Sequence, residues 1–157
     1  MLAGLVFVSV SINLEKVLEV HGLPGRAGES IVMFAGVLIL SLCLLLPGQS
    51  ATALGVELVI GGALLAMLLV LIALPGINRP TRQPLSWRVV RILLAMAASL
   101  PVIAAGVSLL AERGGGIYWL AAAFMLSFAA GIGNAWVLLV EVVRDERYLP
   151  VDVPDRR

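Results

Sequence analysis

Residues Ile31–Pro47 read IVMFAGVLILSLCLLLP, seventeen positions without a single charge. A segment of that kind has lipid as its solvent, because a soluble helix of this length needs a polar face. Working outward, the apolar run begins near Ser30 and stops at Pro47-Gly48. Similar runs follow at Leu54–Leu74, closed by Pro75-Gly76, and at Val89–Ala111, closed by Glu112-Arg113-Gly114-Gly115-Gly116. A last one, Ile117–Val143, opens on Tyr118-Trp119 as an interfacial anchor and ends in Arg144, Asp145, Glu146 and Arg147. Proline, glycine and charge clusters bound each of them, as helix ends require.

Leu2–Leu14 is shorter than the roughly 17 to 25 residues that cross a bilayer. It reaches that length only if its helix continues through Glu15, Lys16 and Glu19 to Val20. The expected fold is therefore an all-α integral membrane helical bundle of four to five transmembrane helices, with five preferred. Residues 1–147 form the bundle and 148–157 a short tail. No basic segment precedes Leu2–Val10 and no small-residue cleavage site follows, so a secretory signal peptide is not expected. The missing lead-in fits either a truncated start or a helix beginning at Met1.

Composition agrees. Of 157 residues, 61% are hydrophobic and 13% charged, with mean hydropathy +1.05, whereas a soluble domain is about half apolar and about a quarter charged. A net charge of +1, with basic residues in the connections instead of on a recognition helix, argues against a nucleic-acid binder. The single Cys43 excludes an intrachain disulfide.

The basic residues also fix orientation. Lys16 and Arg26 fall in the first connection, Arg79, Arg82, Arg88 and Arg91 in or beside the third, and Arg144, Arg147, Arg156 and Arg157 in the tail; only Arg113 lies in the alternate connections. The positive-inside rule then places the C-terminus in the cytoplasm.

Small residues recur at helical spacing: Gly55, Val59, Gly62 and Ala66; Ala97, Pro101, Ala104 and Ser108; Gly131 and Ala135. Such faces let helix backbones approach, either inside one bundle or in self-association. Polar residues form a further stripe, Ser127, Gly131, Asn134, Leu138, Glu141 and Asp145, whose intervals keep them on one face of the last helix. Asn134 and Glu141 are candidates for lining a hydrated path; equally, Asn134 could pin two helices while Glu141 reaches the headgroups. Asn13 and Glu15 belong to a first segment that is polar on two sides, and are path candidates on the same ground. Glu57 is a candidate for an external mouth, or a first-turn acid favoured by the helix dipole. Pro101 should bend its helix.

Enzymatic chemistry finds no residues to carry it. His21 is the sole histidine, so no histidine-pair metal site, metalloprotease motif or serine triad can be built, and no phosphate loop with its lysine is present. No cofactor is expected.

The phrases Phe7–Lys16 (FVSVSINLEK), Leu23–Glu29 (LPGRAGE), Pro47–Leu58 (PGQSATALGVEL) and Gly133–Glu141 (GNAWVLLVE) resemble a family of small, uncharacterised bacterial polytopic membrane proteins sometimes labelled modulator of FtsH protease. The similarity covers nearly the whole chain and brings no catalytic residues. Members of that family carry a longer stretch before the Phe7 phrase. The resemblance implies a multi-pass protein of the bacterial plasma (inner) membrane. Two functions are then expected: a homo-oligomeric channel or transporter-like protein enclosing a polar path for ions or small solutes, or a non-conducting accessory protein that modulates a membrane partner such as a membrane protease. Expected partners are the lipid bilayer, further copies of the chain through its small-residue faces, and a membrane protein.

Overall fold

The computed structural model describes residues 23–74 and 85–146, with side chains left out at 23, 85–88, 139 and 141–146, together with Gly4, Leu5, Phe7, Val8 and Ser11. The fold is all-α. Its long helices are α1 (Leu23–Leu44), α2 (Ala51–Ala73), α3 (Leu85–Leu110) and α4 (Tyr118–Glu146). At 1.5 Å per residue their 22 to 29 residues span about 33 to 44 Å, enough to cross a hydrocarbon core about 30 Å thick. Among the described residues four helices are long and apolar enough to be membrane spans, so the chain is a multi-pass membrane protein. The proposed first span lies almost wholly outside the described residues.

Each helix packs on its sequence neighbour, and α4 returns to α1, which closes a four-membered ring. Its interior is stacked in two layers. Leu40, Leu58, Val102, Ala105, Leu120 and Ala123 fill one; Met33, Leu65, Leu69, Ala95 and Ala130 fill the other. Large apolar side chains such as Leu38, Ile60, Leu64, Leu93, Met125 and Trp136 point outward. Hydrophobicity therefore does not separate inside from outside. What marks the inward side of α2 is its glycines: it buries Gly55, Leu58, Gly62, Leu65, Leu69 and Ala73, one stripe at three- and four-residue intervals whose glycines meet α3.

The α2–α3 crossing is the tightest contact between helices. A methyl group built on Gly106 would lie 2.6 Å from the carbonyl oxygen of Gly55, and one on Gly62 would lie 2.7 Å from Ile103 Cγ1. Gly131 serves the α1–α4 contact in the same way, because the Phe34 ring rests where its side chain would be. Of the expected α3 stripe, Ser108 is buried while Ala97, Pro101 and Ala104 are half-buried; the inward face runs through Ala95, Ala98, Ser99, Val102, Ala105 and Gly106.

Helix starts differ from the sequence expectation at two instructive places. Ser30 was the expected start of α1, but the described helix already runs from Leu23, so Pro24 and Glu29 lie within it. Likewise α2 begins at Ala51, not Leu54, because Ser50 caps it by accepting the Ala53 N–H at 3.1 Å. Ser50→Ala is expected to lower stability by about 1 kcal/mol in detergent unfolding. No change would mean that solvent replaces the cap.

The turn between α3 and α4 is built from left-handed backbone at Glu112, Gly114, Gly115 and Gly116. The Ser108 hydroxyl donates to the Arg113 carbonyl and accepts the Gly116 N–H at 2.7 Å, while Trp119 Nε1 donates to the Gly114 carbonyl at 2.8 Å. These bonds satisfy backbone groups of the turn itself, while the carbonyls of Val107, Ser108 and Leu109 at the end of α3 accept from the N–H groups of Ala111, Arg113 and Glu112.

Candidate functional site

Glu29 lies on the second turn of α1 and Arg91 on the second turn of α3, at the same end of the bundle. Neither helix is a ring neighbour of the other. Their side chains nonetheless meet across the bundle. Arg91 Nε donates to Glu29 Oε1 at 2.9 Å, and Arg91 Nη2 lies 2.6 Å from the same oxygen. The other carboxylate oxygen, Oε2, accepts from Asn134 Nδ2 of α4 at 3.2 Å. One carboxylate thus ties three helices together.

This cluster is shut away from solvent. The Glu29 and Arg91 side chains are 5% and 9% exposed and Asn134 is 6% exposed. Next to it, Ser30 Oγ donates to the Gly131 carbonyl at 3.1 Å, adding a second polar rung between α1 and α4. Gly131 leaves that carbonyl within reach because it has no side chain. A charge alone at this depth would be costly, whereas opposite charges side by side offset much of each other's desolvation. Engagement is nevertheless incomplete: Nη2 is close to Oε1 but off the line that a hydrogen bond needs, so it is held by charge alone.

The sequence candidates fare differently. Asn134 is buried, and the stripe Ser127, Gly131, Asn134 and Leu138 all faces the interior. Glu141 and Asp145 continue α4, but their side chains, like Asn13 and Glu15 as a whole, lie outside the described residues. Glu57 is exposed on the second turn of α2, which has no acid in its first turn, so the helix-dipole explanation for it does not hold. Glu29 was not singled out from sequence, and Arg91 counted only as a flanking charge. A usable signal existed: once Pro24 is accepted within the helix, Glu29 falls inside the span and needs a counter-charge.

The site offers a buried ion pair, a carboxamide and a backbone carbonyl, arranged to brace helices. Among the described residues no group of three or more His, Cys, Asp or Glu side chains is placed to hold a metal ion. Compared with known protein families, with curated proteins and with solved structures, the chain has no significant match in any of the three.

Proposed function

We propose that the protein is a non-conducting accessory component of the membrane, a self-braced helical bundle that acts by docking to a larger membrane protein. One observation carries this reading: Glu29, Arg91 and Asn134, the charged and amide side chains buried in the described bundle, engage one another within a single copy of the chain. Apolar side chains fill the layers beyond them. A water-lined path needs polar groups left facing an opening, and here they are turned toward each other. The inward glycines point the same way, since Gly55, Gly62, Gly106 and Gly131 spend their small surfaces on neighbours inside the bundle. A membrane protease is the partner class that the family resemblance suggests.

The test separates this from a homo-oligomeric path. Purified protein in proteoliposomes is expected to leave Na⁺, K⁺ and proton gradients at the leak rate of empty vesicles. Solubilisation from native membranes is expected to yield a heteromeric complex. Flux well above empty vesicles that Asn134→Leu abolishes would reverse the assignment.

A further inference from the structure

The engagement of Glu29 is unusual in its division of labour. An arginine and a carboxylate ordinarily form a fork, with two parallel N–H bonds to two oxygens, and that arrangement is the strongest available to them. Here Arg91 approaches Oε1 alone, with Nε bonded and Nη2 close to the same atom, while Asn134 occupies Oε2. The outcome is a buried guanidinium nitrogen, Arg91 Nη2, without a hydrogen bond. Leaving a buried donor unsatisfied is unfavourable in the same measure as losing a hydrogen bond. The oxygen that would satisfy it is the one held by a weaker, neutral donor on a different helix.

We infer that Asn134 and Arg91 compete for Glu29, so that the cluster is a latch with two settings. In the setting observed, Glu29 is shared and links α1 to both α3 and α4. In the other, Arg91 forks both carboxylate oxygens, the α1–α3 diagonal tightens, and Asn134 releases Glu29. The polar contact between α1 and α4 then rests on Ser30 and Gly131 at this end, beside the packing of Phe34 on Gly131. Both donors bond the same ionised carboxylate, so the two settings exchange one charge-assisted bond for another and lie close in energy. What the latch moves is the α1–α4 seam, which closes the ring. This inference rests on the geometry of the cluster and is independent of whether the protein conducts.

The test uses the full-length protein in nanodiscs with arginine side chains labelled with nitrogen-15. A forked guanidinium cannot turn about its Nε–Cζ bond without breaking the hydrogen bond made by its Nη2, so its Nη nuclei exchange slowly. In the wild type, Arg91 Nη exchange is expected to be fast. In Asn134→Leu, which keeps the branching at Cγ but removes the amide, and in Asn134→Ala, it is expected to slow by about tenfold or more, the effect of a barrier higher by about 1.4 kcal/mol, with unfolding midpoints at or above wild type. In Glu29→Gln that slowing is expected to be absent. The latch is overturned if both Asn134 variants keep the wild-type exchange rate, or if both unfold as readily as Glu29→Gln, since Asn134 would then be a fixed brace.

Discussion

Arg91→Leu is expected to destabilise the bundle by about 3–5 kcal/mol, the usual cost of removing one member of a buried ion pair and leaving the other charge behind. Glu29 would keep only the amide of Asn134 for company, in a side-chain environment 5% exposed. Glu29→Leu is expected to cost a similar amount for the mirror reason. The informative variant is the double one. If the pair is chiefly a mutual neutralisation, Glu29→Leu with Arg91→Leu should recover most of the loss, because two leucines are at home in lipid-facing or core positions and no charge remains. Steric-trap or detergent unfolding of the four proteins measures this. Single losses that simply add in the double variant would show that the two side chains act apart, contrary to the 2.6 Å contact.

The second large effect belongs to the α2–α3 crossing. Gly106→Ala is expected to destabilise by about 1–3 kcal/mol, because the added methyl collides with the backbone at Gly55 O and Val59 N and with the short, β-branched side chain of Val59, which has little room to give. Gly133→Ala is the matched control. Nothing lies within 4 Å of the position that its methyl would occupy, so the change should be favourable by up to about 1 kcal/mol through helix propensity alone. Opposite signs at these two glycines are the prediction; equal signs would mean that the crossing is looser than the Gly55–Gly106 approach indicates.

These two sites also mark what the sequence could reveal. Four spans were legible, since uncharged runs such as Ile31–Pro47 have one physical solution in a bilayer. The inward stripe of α4 was legible too, because Ser127, Gly131, Asn134 and Leu138 recur at helical intervals and small or polar residues mark the protein-facing side. Glu29 was hidden by the habit of ending a span at the first charge: Arg26 and Glu29 made Leu23–Glu29 look like a connection, whereas the counter-charge that lets Glu29 enter lies on α3. Pairing across a bundle is a long-range fact, and no local pattern around Glu29 contains it. The face of α3 was misread for a related reason. Ala97, Pro101 and Ala104 share the small-residue spacing of the inward set, so spacing alone could not choose between two adjacent faces, and contact with Gly55 and Val59 chose the one bearing Gly106. Glu57 was assigned to a helix end because Ser50 was not credited as its cap.

The separation of Glu29 from Arg91 is 62 residues, and a ribosome making about 5–20 residues per second needs roughly 3 to 12 seconds to cover it. Throughout that interval α1 carries an acid whose neutralising arginine does not yet exist. Until α3 emerges, this end of α1 is expected to keep its acid near the headgroups or the insertion channel, the alternative being to enter the hydrocarbon protonated. Insertion of α1 is therefore expected to depend on α3, so that a chain halted between the two is expected to seat this end of α1 less firmly than the finished chain does.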